Sequence, residues 1–600
     1  METGALSPRS PSGPLLDHPH LQRIHPAAPP RPIAGLPWLL FVAAVALGWD
    51  LSGYRLLDPD EGRNAEVARE MAQTNDYLVP HLDGLPYLDK PIVYFAAAAG
   101  LMELLGPTET AARLPAYAAT LATLALLVGF ARRRWGADAG WLAAIAYATM
   151  VLPLVYARTA IFDSTLTLCT TAAVLWFFEE RPVPAWAAIA AAALTKGPVA
   201  IAIPLLVMVP HALATGTTVR RFFPRSGLGT FAVITLPWFV AVSVRIPEFP
   251  HYVFVRETLE RVTTGSFHRT APLWYYLPIL PAAAFPWIVP ALSRLGRWRA
   301  TWQVRLEPSA REPLLLACWV IVPLAFFTLN RSKLPHYVLP LMPAFALAAA
   351  RHIATGGVGA GARAYAGVAA VLGAALVALT RWLPAPIDLT PREQAAIPPT
   401  AVVLGIVVLG SAALVAFGAL RRRPPIAVLG YAMVVIAIPF ASGGLLAAVA
   451  EDRSAAALAR PIAAALARAD DGQGAQGGPT AVLGVQAYPP SLPFYLGRTM
   501  AVATNTAAEL TSNYIADYQE RYRLATGSPL LPAGYWREAL ARCPVPTVFV
   551  TTAANRDARA KLAAALPLLT AGGRYVAYGP CLTPLVRSSP RREERGQEEG

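Results

Sequence analysis

The stretch that organises this chain is DPDEGRNAEVAREMAQTNDYLVPHLDGLPYLDKP, residues 58–91. No other stretch of equal length in the first 450 residues holds more charge, and almost purely apolar segments flank it. Ionisable side chains placed against apolar segments are energetically costly and are functional by default. We therefore predict that residues 58–91 carry a functional site beside an apolar environment.

The composition indicates what that environment is. The 600 residues are 55% hydrophobic and only 15% charged, with a mean hydropathy of +0.43, whereas soluble domains are about one quarter charged. Apolar runs near the ~20 residues that cross a bilayer recur from about residue 36 to about residue 450. We predict a polytopic α-helical membrane protein with about thirteen transmembrane helices. The shorter apolar run 92–106 is predicted to form an interfacial or re-entrant helix.

The basic residues predict a topology. The net charge of +14 comes mainly from arginines between apolar runs, which form no continuous stripe of the kind that binds nucleic acid. The positive-inside rule explains them better. Alternation from a cytoplasmic N-terminus places clusters such as Arg132–Arg134 and Arg421–Arg423 inside, and it places the C-terminal region outside. We expect no nucleic-acid partner.

The chain divides into four predicted parts. Residues 1–35 are rich in Pro, His and Ser and are predicted to be a disordered cytoplasmic tail. Residues 36–450 form the transmembrane domain, with a first outer loop at 53–112. Residues 451–585 show strand-like apolar runs between helical patterns, which predicts a small extracytoplasmic α/β domain, and 586–600 are predicted to be a disordered tail.

The four cysteines have no metal-binding spacing. Cys169 and Cys318 lie in apolar runs and are interpreted as buried side chains without a chemical role. Cys543 and Cys581 lie in the C-terminal part and would pair if that part faces an oxidising compartment. Sequence alone leaves that pairing open.

Asp60 has two interpretations. It could cap a surface helix, EGRNAEVAREMAQ, in which Glu66 and Arg69 form an i,i+3 pair. It could instead act as a general base that takes the proton of an acceptor hydroxyl at a membrane-facing cavity. One residue could do both.

Further ionisable residues collect at predicted outer junctions. Lys90 could be a snorkelling lysine or a phosphate contact, and an Arg158–Asp163 ion pair could simply hold a helical hairpin. Lys196 precedes Gly197 and Pro198, which permit a sharp turn between two helices. As a set, these residues suit an anionic headgroup better than snorkelling alone. The set comprises Lys90, Arg158, Asp163, Lys196, Arg256, Arg261, His268, Arg269, Arg331, Lys333, His336 and Tyr337.

Five motifs carry a family resemblance. In order along the chain, they are DPDEGRNAEVAREM, HLDGLPYLDKP, ALTKGPVA, FHRTAPLWYYLP and SKLPHYVLPLMPA. Across roughly residues 36–350 these resemble the bacterial aminoarabinose transferase and protein mannosyltransferase family. Members are glycosyltransferases of the GT-C fold class that take sugars from polyprenyl-phosphate carriers, so the resemblance implies the GT-C type of fold.

The resemblance also implies roles for individual residues. Asp60 and Asp163 correspond to the catalytic acids, whereas the expected donor-phosphate site comprises Lys90, Lys196, Arg269, Lys333 and Tyr337. Secondary candidates are Glu61, Arg63, Asp89, Arg158, Arg256, Arg261, His268, Arg331 and His336. The implied location is the bacterial inner membrane.

The expected reaction transfers a sugar, with inversion, from a polyprenyl-phosphate donor to an extracytoplasmic acceptor. That acceptor could be lipid A, another glycan or lipid, or a protein. No cofactor is expected to be required, and a divalent metal stays open. The alternatives are a flippase or transporter for polyprenyl-linked lipids and a protein O-mannosyltransferase. Against a transporter, we find no clear internal repeat, and charge collects on one predicted side rather than at mid-membrane.

Overall fold

The computed structural model describes residues 33–260, 271–293, 295–356, 358–380, 389–473 and 480–581. The predicted N-terminal tail before residue 33 and the predicted C-terminal tail, 586–600, lie outside these residues. Three candidate site residues, Arg261, His268 and Arg269, also lie outside the described residues.

Helices dominate the described chain up to residue 473. The α-helices are α1 (Leu36–Gly48), α2 (Asp60–Thr74), α3 (Val93–Leu105), α4 (Glu109–Trp135), α5 (Ala137–Ala148), α6 (Val151–Ala157), α7 (Asp163–Phe178), α8 (Pro182–Lys196), α9 (Val199–Ala214), α10 (Arg225–Arg245), α11 (Phe249–His251), α12 (Tyr276–Ala284), α13 (Ile288–Leu292), α14 (Trp298–Gln303), α15 (Pro308–Leu329), α16 (Met342–Gly356), α17 (Ala360–Leu379), α18 (Pro391–Leu420), α19 (Pro424–Ala441), α20 (Gly443–Arg453) and α21 (Ala456–Gln473). A π-helix, Tyr252–Glu260, continues from α11, and short 3₁₀ segments include Pro335–Leu341. Several long helices begin at proline, whose fixed φ suits the first helical position.

Several of these helices are long and apolar enough to cross a membrane. Among the described residues there are seven, or eight if α5 and α6, bent by 69° at their junction, form one broken span. The seven are Glu109–Trp135, Val219–Arg245, Pro308–Leu329, Pro335–Thr355, Gly361–Ala378, Pro391–Leu420 and Pro424–Ala441. Other apolar helices, including α1, α3, α7 and α9, are shorter. The polytopic helical architecture is confirmed, whereas the number of about thirteen spans stays a prediction.

The predicted first outer loop, residues 53–112, is compact. It contains α2, a short antiparallel hairpin of β1 (His81–Leu82) and β2 (Leu85–Pro86), and then α3, where a short apolar helix was expected. The interpretation of α2 as a surface helix is wrong, because every residue from Glu61 to Met71 is buried. The predicted Glu66–Arg69 ion pair does form, at 2.6 Å, but inside the protein. Helix α2 therefore has the charge pattern of a surface helix, but its charged side chains are buried and have polar partners inside the protein.

The C-terminal region is a small α/β unit, as expected. Its six-stranded sheet has the order β5-β4-β3-β6-β8-β7. Strands β5, β4, β3 and β6 pair in parallel, whereas β8 pairs antiparallel with both β6 and β7. The strands are β3 (Ala481–Val485), β4 (Ala501–Thr504), β5 (Leu530–Pro532), β6 (Thr547–Thr552), β7 (Leu568–Gly572) and β8 (Tyr575–Cys581). The connecting helices are α22 (Leu492–Leu496), α23 (Asn513–Asp517), α24 (Gln519–Arg523), α25 (Tyr535–Arg542) and α26 (Arg556–Ala565). A disulfide joins Cys543 to Cys581, which answers the question that the sequence left open.

The first outer loop and the C-terminal unit share one hydrophobic core. Val67 and Met71 of α2 belong to the same buried cluster as Leu492, Val502 and Ile515. Polar contacts reinforce this core: Ser491 Oγ donates to Asp58 Oδ2 at 2.8 Å, and the Met500 amide donates to Asp83 Oδ1 at 2.8 Å. The C-terminal unit is therefore packed directly onto the charged loop, an arrangement that fixes the loop against the helical part.

Candidate functional site

A cavity of about 320 Å³ lies where the end of the charged loop meets the helical part. Its walls come from residues 88–91, the start of α7, the α8–α9 junction, the π-helix, the end of α15 and the 3₁₀ segment Pro335–Leu341. The cavity therefore gathers residues that are far apart in sequence. Of the sequence-predicted candidates it brings together Asp89, Lys90, Asp163, Lys196, His336 and Tyr337.

Lys196 and Asp163 form a buried ion pair on one wall. Lys196 is the last residue of α8, and Gly197, at φ 77°, makes the turn into α9. The lysine Nζ lies 2.5 Å from Asp163 Oδ1, and the aspartate is 1% exposed. Asp163 is the first residue of α7, where the helix dipole favours a carboxylate. The alternative in which Asp163 pairs with Arg158 is wrong, because Asp163 pairs with Lys196.

Lys90 forms the second ion pair of the cavity. Its Nζ lies 2.6 Å from Glu257 Oε1 and also donates to the carbonyl oxygen of Asp89. Glu257 lies on the π-helix and lines the cavity, yet it was absent from the sequence-based candidates. Its signal was weak: it stands between Arg256 and Arg261, so in sequence it reads as one more charge of an outer loop.

His336 and Tyr337 complete the polar part of this wall. The His336 Nε2 lies 3.9 Å from Asp163 Oδ1, and its ring packs against Tyr156 and Tyr337 at centroid distances of 5.4 and 5.1 Å. The Lys196 ammonium lies 5.3 Å from the centre of the Tyr337 ring, within the range of a cation–π contact. The aromatic rings thus hold Lys196 and His336 toward the same carboxylate.

The described lining residues are not net cationic. Two lysines, Lys90 and Lys196, face three carboxylates, those of Asp89, Asp163 and Glu257. The cation excess that the sequence suggested is therefore absent from the described wall, because the other described cations lie outside the lining and Glu257 adds a carboxylate. Those cations are Arg158, Arg256, Arg331 and Lys333. An anion entering this cavity must compete with carboxylates for the lysines.

Asp60 lies apart from these lining residues. It is the first residue of α2, its side chain is 55% exposed, and its Oδ1 lies 2.6 Å from an Nη2 of Arg63. Arg63 is in turn held by the carbonyl and hydroxyl oxygens of Thr511, at 3.0 and 2.9 Å. The helix is capped by Pro59 without a side-chain hydrogen bond, so the N-cap interpretation of Asp60 is wrong. The Asp60 carboxylate thus lies at the surface of the protein and is paired with Arg63.

Two secondary candidates, Glu61 and Arg158, make buried contacts outside the cavity lining. Glu61 is 1% exposed and forms a bidentate ion pair with Arg113, with N–O distances of 2.8 and 2.9 Å, while also accepting from the Ala160 amide. Arg158 donates to carbonyl oxygens at the end of α1, those of Ala46, Leu47, Trp49 and Asp50. Arg113 was not among the sequence-based candidates, because it lies in a mainly apolar run that does not indicate a buried ion pair.

The remaining described candidates lie outside the cavity lining. Lys333 is 5% exposed, and its Nζ donates to the carbonyl oxygen of Ala271 at 2.9 Å. Arg331 is exposed, whereas Arg256 pairs with Glu260 and Asp517 at 2.7 and 2.9 Å. The described residues contain no group of three or more His, Cys, Asp or Glu side chains placed to hold a metal ion.

Burial perturbs several acids of the first outer loop. It raises the pKa of Asp58 to about 8 and that of Glu70 to about 8. Burial also raises the pKa of Asp83 well above its usual range, and the nearby Glu70 carboxylate adds to the effect. These acids lie at the contact with the C-terminal unit and favour their protonated forms there.

This chain is similar in sequence and in structure to known proteins. Residues 89–242 match the sequence family described as dolichyl-phosphate-mannose-protein mannosyltransferase. The crystal structure of ArnT from Cupriavidus metallidurans bound to undecaprenyl phosphate superposes with a TM-score of 0.74, at 26% identity, covering 91% of this chain and 98% of that one. The family match covers residues 89–242 only, whereas the structural likeness extends over 91% of this chain. Its fold is of the GT-C type.

Two curated relatives illustrate how far the sequence match extends. The undecaprenyl phosphate-alpha-4-amino-4-deoxy-L-arabinose arabinosyl transferase of Aeromonas salmonicida is 33% identical over 309 residues, 49% of this chain and 55% of that protein. The protein of the same name from Erwinia tasmaniensis is 34% identical over 316 residues, 50% of this chain and 55% of its own length. The chain thus spans about half the length of the curated relatives it matches. The segment that matches the mannosyltransferase-like family contains Lys90, Asp163 and Lys196.

Proposed function

We propose that this protein is a membrane glycosyltransferase that transfers a sugar from a polyprenyl-phosphate donor to an extracytoplasmic acceptor. The observation that carries the proposal is the cavity in which Lys90 and Lys196 face a common space. Two ammonium groups beside apolar walls suit a phosphate attached to a hydrocarbon chain. The curated relatives named for an undecaprenyl-phosphate donor support the same substrate class.

The lining of the cavity fits both halves of such a donor. Lys90 and Lys196 offer compact charges to the phosphate, while Ile203, Phe249 and Phe327 offer an apolar surface to the prenyl chain. We propose that Arg269, Lys333 and Tyr337 contribute to the same donor site. Because the relatives carry its name, undecaprenyl phosphate 4-amino-4-deoxy-L-arabinose is the first donor to test.

The proposed chemistry is a single inverting displacement. The acceptor oxygen attacks the anomeric carbon from the face opposite the phosphate, and its proton passes to the Asp60 carboxylate. As the anomeric carbon–oxygen bond breaks, its electron pair stays on the phosphate, where Lys90 and Lys196 stabilise the growing charge. Asp163 orients the Lys196 ammonium through their ion pair. A lipid phosphate is a good leaving group, so no acid needs to protonate it.

We also propose the topology and domain division expected above. Residues 36–450 form the catalytic membrane domain, residues 451–585 lie outside the cytoplasm, the N-terminus lies inside, and the membrane is the bacterial inner membrane. The Cys543–Cys581 disulfide supports the outside placement, because such bonds persist in oxidising compartments. The arginine clusters between helices support the same orientation.

The acceptor is proposed only as a class, a hydroxyl group of an extracytoplasmic glycan, lipid or protein. Sugar transfer to a protein hydroxyl would make the chain a protein O-glycosyltransferase, the class to which the protein O-mannosyltransferase alternative belongs, and transport of the intact donor would make it a flippase. Both are outcomes of the test described next.

The test follows transfer from radiolabelled undecaprenyl phosphate 4-amino-4-deoxy-L-arabinose in membranes that contain the full chain. Wild type is expected to move label from donor to acceptor, whereas Asp60→Asn and Lys90→Ala lose roughly 10²-fold or more of the rate. Matched controls are Asp557→Asn and Lys561→Ala, which alter an exposed aspartate–lysine pair of the C-terminal unit and should behave as wild type. Intact donor crossing the bilayer, or wild-type rates in the Asp60 and Lys90 variants, would overturn the proposal.

A further inference from the structure

Asp89, the neighbour of Lys90, is bound on both carboxylate oxygens by groups far away in sequence. Its Oδ1 accepts from the Tyr252 hydroxyl at 2.5 Å and from the Tyr514 amide at 2.9 Å, and its Oδ2 accepts from the Asn513 amide at 3.0 Å. The side chain is 7% exposed. Although Asp89 borders the cavity, its carboxylate is committed to the C-terminal unit and to the π-helix.

The π-helix that carries Glu257 is held by the same part of the C-terminal unit. Arg256 pairs with Asp517 at 2.9 Å, and the Tyr252 ring packs edge-on against Tyr514 at a centroid distance of 5.0 Å. Helix α23 (Asn513–Asp517) therefore contacts both the side chain of Asp89, the residue before Lys90, and the π-helix that bears the ion-pair partner of Lys90. Two walls of the cavity converge on one element of the C-terminal unit.

We propose that Asp89 is a positioning residue for Lys90, and that α23 of the C-terminal unit is a working part of the donor site. This inference rests on the proposed function. Lys90 follows Asp89 by one peptide, about 3.8 Å between Cα atoms, and its ammonium also donates to the Asp89 carbonyl oxygen. Fixing Asp89 therefore fixes where the ammonium can meet a phosphate.

The chemistry of the contact explains why an aspartate is needed. Backbone amides that point at a carboxylate form charge-assisted hydrogen bonds, which are about twice as strong as neutral ones. An asparagine offers one acceptor oxygen, so its amide group would oppose one of the three donors. The loop before Lys90 would then lose its fixed distance from the π-helix, and the Lys90 ammonium would be less well placed to bind the donor phosphate.

The test is a double-variant cycle in the full-length protein, measuring donor KM, kcat and the affinity for undecaprenyl phosphate. Asp89→Asn is expected to raise the donor KM and weaken undecaprenyl phosphate binding about tenfold or more, with a smaller change in kcat at saturating donor. In a Lys90→Ala background, Asp89→Asn should add nothing, because its effect passes through Lys90. Tyr252→Phe removes a single donor to Asp89 and should shift both readouts in the same direction by less.

Ser491→Ala is the matched control, since it removes a different hydrogen bond between the outer loop and the C-terminal unit. It should leave the donor KM unchanged. Independent effects of Asp89→Asn and Lys90→Ala, an unchanged donor KM in both Asp89→Asn and Tyr252→Phe, or an equal KM change in Ser491→Ala would overturn the inference. If Asp89→Asn does not fold, Tyr252→Phe decides the matter. A wild type without transferase activity would instead refute the proposed function.

Discussion

Lys90 and Glu257 are 167 residues apart in sequence, yet the lysine Nζ and the glutamate Oε1 lie 2.6 Å apart at the cavity. A phosphate that binds Lys90 must therefore compete with an internal carboxylate. A phosphate that binds Lys196 must likewise compete with the Asp163 carboxylate. Both cavity lysines thus have an acidic partner before any donor arrives.

Replacing Glu257 with Gln should tighten the binding of undecaprenyl phosphate by up to about fivefold, because a partly accessible ion pair contributes about 0.2–1 kcal/mol. Binding to purified protein in detergent measures this directly. Glu538→Gln is the control, because Glu538 pairs with Arg542 on an exposed helix far along the chain. Weaker binding in Glu257→Gln would show that Glu257 holds Lys90 in place rather than competing for it.

The Lys196–Asp163 pair should show strong coupling in stability. Lys196→Met leaves the buried Asp163 carboxylate without its partner, which is expected to lower the free energy of unfolding by about 3–5 kcal/mol. The double variant Lys196→Met/Asp163→Asn removes both charges and should recover much of this loss. Thermal unfolding in detergent compares wild type, the single variants Lys196→Met and Asp163→Asn, and the double variant. Additive losses would mean that the two side chains do not depend on each other.

Glu61 should prove structural, although it follows Asp60 directly. Glu61→Gln breaks the buried bidentate pair with Arg113, so folded yield and melting temperature should fall. The donor KM of the protein that does fold should stay within about twofold of wild type. A large KM change in well-folded Glu61→Gln would place this carboxylate in the donor site.

Stability should depend on pH through Asp58. Burial raises the pKa of Asp58 from 3.8 to about 8, so the folded protein holds this proton more tightly than the unfolded chain does. The stabilisation is complete below the unfolded pKa and is lost as the pH rises toward about 8. The melting temperature should accordingly fall between about pH 5 and pH 8.

Asp58→Asn tests this assignment, because it cannot titrate but keeps an oxygen that can accept from the Ser491 hydroxyl. The melting temperature of Asp58→Asn should fall less over the same pH range. Glu70, whose pKa is also raised, should account for part of the remaining pH dependence. Asp557→Asn, which changes an exposed aspartate, should keep the wild-type dependence. An Asp58→Asn profile parallel to that of wild type would contradict the assignment.

The architecture could be predicted from the sequence because the patterns that indicate it involve residues close together in the chain. Long apolar runs predict membrane helices, and alternating strand and helix patterns after residue 451 predict the α/β unit. Gly197 after Lys196 likewise predicts the α8–α9 turn, which its positive φ confirms. These features depend on neighbouring residues, so a single chain displays them.

The partners of the site residues could not be read in this way. Asp89 binds amides more than 400 residues later, Lys90 meets Glu257, and Arg158 meets the end of α1 rather than Asp163. The motif resemblance identified which residues matter, but it could not say which carboxylate each cation faces. Helix α2 shows the same limit, since its charges were assigned to a surface that the C-terminal unit covers.

The most direct test of the account is the fate of the donor lipid in liposomes that contain the purified protein, an acceptor-bearing membrane extract and labelled undecaprenyl phosphate 4-amino-4-deoxy-L-arabinose. Mass spectrometry follows both the labelled sugar and the released undecaprenyl phosphate. The account predicts one undecaprenyl phosphate released for each sugar transferred by wild type, and almost none with Lys90→Ala. Donor that crosses the bilayer with its sugar still attached, and no released undecaprenyl phosphate, would contradict it.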